Sequence, residues 1–177
     1  MAEQKDSKGG FEIFVDRYRD IARRARKEAD DAKRADDMMG ARQAAEKSYL
    51  AAVHAARQIL ICAGITSTRK PRQPSAAIAR ANQLVGELGL RREEAVDNAM
   101  RALGRALKEH TSCFYEGVCD IPDIVRAAHG VERAAKDLPA VCHLVQRASG
   151  GLPPSTDEFA GTAAHVRQRG TGFRRKR

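Results

Sequence analysis

An all-α, up-and-down bundle of four to five helices with disordered tails is the fold class that this sequence predicts. Three observations predict it. Apolar residues recur every three or four positions, the helical period, and no stretch shows the strict alternation of a half-buried strand. Alanine recurs throughout while aromatics make up only 5% of the chain and tryptophan is absent, so the core should be thin, with helices packed closely over small side chains. Helix start and stop residues fall between the periodic segments. At 177 residues the chain can bury one real core. The boundaries read as a disordered N-terminus over 1–9, a helical-bundle domain over 10–148 and a flexible basic tail over 149–177.

The first helix is predicted from Phe11, where Phe11, Phe14, Val15, Tyr18, Ile21, Ala25, Ala29 and Ala32 form one stripe. Its other face mixes Asp16, Arg17, Arg23, Arg24, Lys27 and Asp31, the pattern of a solvated surface. The run Asp36-Asp37-Met-Met-Gly40 marks a weak break. A second helix follows from about Ala41 to Ala63, buried along Ala45, Tyr49, Ala52, Ala56, Ile59 and Leu60, with Gly64 as its stop.

Two prolines and three cations make the segment from Ile65 to Ser75 an extended, positive loop that can touch phosphate or simply solubilise the chain. Ser75 is placed to N-cap a third helix over about 76–88, and a fourth is predicted over about 91–110, ending at Thr111-Ser112. Asp120-Ile-Pro122-Asp opens a fifth, over about 122–137, with proline in the first turn and acids complementing the helix dipole. Pro139 is expected to break or kink it before a last helical piece carrying Val141, Leu144 and Val145.

The net charge of +9 invites a nucleic-acid partner. Six of those charges, Arg167, Arg169, Arg174, Arg175, Lys176 and Arg177, sit in the final segment from Gly161 with no acid among them. The folded body is therefore nearly balanced. The basic tail, together with Arg69, Lys70 and Arg72 of the loop, forms the expected phosphate-binding set; the plainer alternative is a solvated, protease-sensitive end. No run of about 18 apolar residues is present, which excludes a spanning helix, and the N-terminus lacks an apolar signal segment. A cytoplasmic location follows, and with it reduced thiols at Cys62, Cys113, Cys119 and Cys142. Their spacing matches no zinc motif, so neither a metal nor a cofactor is expected.

Chemistry concentrates at Arg105-Ala-Leu-Lys-Glu-His110 and the following Phe114-Tyr115-Glu116-Gly117. Arginine is a fixed cation that clamps phosphate, and histidine exchanges a proton near neutral pH. Metal-free RNA cleavage needs a base for the 2′-hydroxyl, an acid for the leaving 5′-oxygen and a cation for the developing charge. His110 suits the base or acid, Arg105 the clamp. Tyr115 can hydrogen-bond phosphate or stack on a base, and Glu116 can orient His110. Equally, Arg101, Arg105 and Lys108 read as a solvated face and Phe114 and Tyr115 as plugs at a helix–helix turn. Five residues advance about 140° around a continuous helix, so Arg105 and His110 share a site only where the helix breaks or a dimer brings two copies together.

Two segments, Gln43-Ala-Ala-Glu46-Lys47-Ser-Tyr49 through His54 and Arg57, and Leu107-Lys-Glu-His110 through Phe114-Tyr115-Glu116-Gly117 to Glu132, resemble the HEPN superfamily and its archaeal-type helical subfamily. The resemblance spans about residues 10–148. It implies a helical bundle that is frequently a homodimer, and, in catalytic members, a metal-independent endoribonuclease using an arginine and a histidine four to six residues apart. Arg105 and His110 fit that spacing. Ala106 departs from it, since catalytic members often carry a polar residue after the arginine. Other members are non-catalytic and serve as substrate-binding or toxin–antitoxin partner domains. The expected function is thus an RNA-acting protein of toxin type, with a non-catalytic helical module binding nucleic acid or a partner protein as the alternative. A nucleotidyltransferase-partner domain, with a pocket near Arg69–Arg72, is a third.

Overall fold

A computed structural model describes residues 7–65 and 74–150, with side chains from residue 18 onward. Five α-helices fold up and down: α1 (Ser7–Ala35), α2 (Met38–Cys62), α3 (Ser75–Glu87), α4 (Glu94–Phe114) and α5 (Ile121–Ser149), with one 3₁₀ turn at Leu90–Arg92. Among the described residues there is no strand, and no helix is long and apolar enough to cross a membrane. The all-α prediction holds.

α2 is the central element, packed against each of the other four helices. Its sequence explains that position: Ala41, Ala44, Ala45, Ala51, Ala52, Ala55 and Ala56 are all buried, so backbones approach it from several sides. Ile59, Leu103 and Leu138 are the largest fully buried side chains of this core. A second, smaller apolar cluster joins Ala29, Ala32, Ala41, Ala44, Ala45, Cys113, Ile121, Ile124 and Ala128 where α1, α2, α4 and α5 meet.

Several boundaries differ from the sequence expectation. Ser7–Gly9, read as disordered, already belong to α1. The break at 36–40 shrinks to a two-residue turn: Asp36 takes a left-handed φ of 51°, and the Asp37 carboxylate N-caps α2 by accepting from the Met39 amide at 3.0 Å. Gly40, the last residue of that run, is inside α2, where a Cβ would meet Asp37 Oδ2 at 2.6 Å and Ala32 Cβ at 3.3 Å. Ser75 is the first residue of α3, not its cap. Asp120 does cap α5, accepting from the Asp123 amide at 2.8 Å, with Pro122 in the first turn.

Pro139 neither breaks nor ends α5. Proline removes an amide and orphans the carbonyl four residues back, here that of Ala135. That carbonyl accepts the Tyr18 hydroxyl at 2.7 Å and Arg19 Nε at 3.3 Å, both from α1. The neighbouring helix supplies what the proline withholds, so the helix runs on to Ser149. Burial pushes the Tyr18 phenol up to about 12, so the hydroxyl stays a donor throughout the ordinary pH range.

The four cysteines are paired, not reduced thiols as expected: Cys62 with Cys142 and Cys113 with Cys119, at Cα separations of 5.4 and 4.4 Å. The first staples α2 to α5 and the second closes the loop after α4. Both separations lie in the range a disulfide spans, and the packing of the helices, not sequence spacing, creates them.

Candidate nucleic-acid interface

The expected site residues sit on α4 and just past its end, so the course of that helix decides their geometry. Thr111 and Ser112 remain helical, and the helix ends at Phe114 rather than near His110. Gly117 then turns the chain at φ 73°. Arg105 and His110 are therefore on one uninterrupted helix, about 140° apart around its axis, and point to different neighbours.

His110 turns inward to α2. Its imidazole stacks on Tyr49, with 4.1 Å between ring centroids and 20° between planes, and on Phe114 at 4.8 Å and 23°. The Arg42 guanidinium lies over the ring of Phe114, 4.5 Å from its centroid. Tyr49, His110, Phe114 and Arg42 thus form one column, built from residues seven apart on α2 and four apart on α4. Burial pulls the His110 pKa below the usual imidazole range, while the charge of Glu46 raises it in part. The carboxylate acting on His110 is thus that of Glu46, and the expected orienting contact from Glu116 does not form. Burial also raises the Tyr49 phenol, against a hydrogen bond with Ser75 that lowers it. Tyr115 contacts the column only by its edge, 5.9 Å from His110, and is 79% exposed.

Arg105 faces the opposite way, into a cleft of about 260 Å³ between α4 and α5. Arg101 and Arg105 stand on the α4 bank, Arg126 and Arg133 on the α5 bank, with Asp137 beside them. Small residues make the floor: a Cβ added at Gly130 would sit 3.4 Å from Ala102 Cβ. Arg101 pairs with Asp97 at 2.6 Å, and Arg126 Nε with Asp123 at 3.1 Å. The hydrogen bond from Arg126 holds the Asp123 carboxyl below the usual aspartate range. Among the described residues, Arg105 and Arg133 form no ion pair. On the same helix Glu109 is only 6% exposed, and burial followed by the charge of Asp123 raises its pKa.

The helices thus bring Arg105 together with three arginines and separate it from His110. Arg126 and Arg133 went unnoticed in the sequence, although their spacing around Gly130 puts them on one helical face; which helix that face meets is a tertiary fact. Arg69, Lys70 and Arg72, and Arg167, Arg169, Arg174, Arg175, Lys176 and Arg177, lie outside the described residues. Among the described residues no three His, Cys, Asp or Glu side chains gather into a group that could hold a metal.

No family model matches this chain, and no curated protein or solved structure is significantly similar to it.

Proposed function

We propose that this protein is a non-catalytic helical module that binds nucleic acid, RNA in the first instance, through the arginine-lined cleft between α4 and α5. One observation carries the reading: Arg105 shares that cleft with Arg101, Arg126 and Arg133. Guanidinium groups present forked donors that match phosphate oxygens, and two of the four, Arg105 and Arg133, are held in no ion pair among the described residues, although Asp123 and Asp137 lie nearby. Two helices hold the arginines at fixed separations, which reduces the ordering cost of binding. The cations of 161–177 would add a sequence-independent phosphate contribution.

Titration of a labelled RNA at several salt concentrations tests this. Arg105→Glu and Arg133→Glu each weaken binding about tenfold or more and lower the slope of log affinity against log salt by about one. Unchanged affinity in both variants sinks the proposal.

A second reading keeps the HEPN resemblance at its full strength: a metal-independent endoribonuclease of toxin type. It rests on the interval from Arg105 to His110, since histidine can pass a proton near neutral pH. It requires a homodimer in which Arg105 approaches His110 of the partner subunit. Cleavage of mixed RNA in EDTA by wild type, lost in His110→Ala, would replace the binding-only reading with this one. No cleavage by folded wild type removes it.

A further inference from the structure

The outward face of α4 continues beyond the cleft. Arg101, Arg105, Lys108, Ser112 and Tyr115 follow at steps of four, three, four and three residues, which keeps them on one side of the helix. The Tyr115 amide donates to the Thr111 carbonyl at 2.9 Å, so the helical backbone reaches Tyr115, whose ring turns back toward His110. Arg101, Arg105, Lys108 and Tyr115 are all exposed. The stripe is about 21 Å long, cationic for its first half and aromatic at its end. The acids near it are Asp97 on Arg101, Glu109 beside Lys108 at 3.9 Å, Asp123 of α5 facing Arg105 and Lys108, Asp137 in the cleft, and Glu116 after the tyrosine.

Tyr115 is the most exposed large hydrophobic side chain among the described residues, yet it is not loose. The ring meets the edge of His110, which is itself clamped between Tyr49 and Phe114. The Cys113–Cys119 disulfide closes the loop that carries it. A rigid, solvent-facing aromatic at the end of a cation row is the arrangement that takes an unpaired base while the backbone is neutralised alongside. A base inside a duplex has no free face to offer such a ring.

We infer that the ligand of this surface is a single strand, its phosphates held by Arg101, Arg105 and Arg133 and one base stacked on Tyr115. This inference rests on the proposed nucleic-acid binding and adds the choice of strand. Fluorescence anisotropy with a labelled 12-nucleotide RNA, alone and annealed to its complement, tests it. Wild type binds the single strand more tightly than the duplex. Tyr115→Ala weakens single-strand binding fivefold or more and leaves duplex binding unchanged, whereas Tyr115→Phe binds as wild type. The chain has no tryptophan, so Tyr115→Trp introduces a lone indole whose emission is quenched on stacking by the single strand. Equal affinity for both RNAs, equal losses in Tyr115→Ala on both, or an unquenched indole with RNA bound overturns the inference. Failure of the binding reading shows separately, as insensitivity to Arg105→Glu and Arg133→Glu on either RNA.

Discussion

The imidazole of His110 lies nearly flat on the phenol of Tyr49, with 20° between the two planes and 4.1 Å between ring centroids. This single contact assigns His110 to the α2–α4 interface and leaves Arg105, five residues earlier, to a different surface. It also makes His110 a structural group with a pH signature.

His110 has a folded pKa below its ordinary value of 6.5, chiefly through burial. The unfolded chain therefore takes up the proton first as pH falls. The stability that the neutral ring contributes is complete above about pH 6.5 and is lost as pH drops through the folded pKa. His110→Phe, which keeps a stacking ring without a proton site, should flatten this part of the stability curve in urea titrations between pH 7 and pH 5. An unchanged pH dependence would show that His110 is not the group responsible.

Tyr18 and Pro139 should behave as a coupled pair. Tyr18→Phe removes the shorter of the two hydrogen bonds to the Ala135 carbonyl, leaving only that from Arg19, and should cost about 1 kcal/mol. In a Pro139→Ala background the helix supplies its own amide to that carbonyl, so the same substitution should cost clearly less. A double-mutant cycle by chemical denaturation measures the difference, and additive costs would refute the coupling.

Cys62 and Cys142 close a loop over a sequence separation of 80. On the chain-entropy account, losing that closure costs about 4 kcal/mol. Cys62→Ser with Cys142→Ser should lower the melting temperature markedly, and a reducing agent should do the same to wild type but not to the double variant. Cys113→Ser with Cys119→Ser, opening a much shorter loop, should have the smaller effect. Thiol counting under denaturing, non-reducing conditions gives the paired state directly.

Glu132 links α5 to α1, accepting from Arg26 at 2.8 Å and pairing with Lys136 at 3.3 Å. Burial pushes its pKa up, but the hydrogen bonds from Arg26 and Lys136 more than offset this and hold it below 4.5. The resulting stability is present above about pH 4.5 and disappears as acid titrates the folded carboxylate. Glu132→Gln should cost about 2 kcal/mol at pH 7 and little near pH 2. A constant cost across that range would exclude the ion-pair origin.

Much of this fold could be read in advance because its signals are local. The stripe from Tyr18 to Ala32, the alanines of α2 and the Asp120–Pro122 start each declare a helix within a few residues. The failures share a cause. Pro139 reads as a breaker until Tyr18, far away in sequence, reaches its orphaned carbonyl. The run from Asp36 to Gly40 reads as a weak break, yet Gly40 lies inside α2 against Ala32 of α1. Cys62 and Cys142 have no shared motif, and only the packing of α2 on α5 makes them neighbours. The site follows the same rule: the interval from Arg105 to His110 was visible, as was the angle it implies, but not that Arg126 and Arg133 stand across from the arginine or that Arg42 ends the column of rings.

Gly130 has a consequence beyond close packing. Between Arg126 and Arg133 it leaves α5 without a side chain where α4 presents Ala102. The depth of the arginine trough is therefore governed by a single absent methyl group. A methyl group at Gly130 would just reach contact with Ala102, so anything larger reshapes the trough and presses the two helices apart at once. A side chain larger than alanine there would register as a change in the spacing of α4 and α5, so the recognition surface could diversify only as far as the scaffold tolerates.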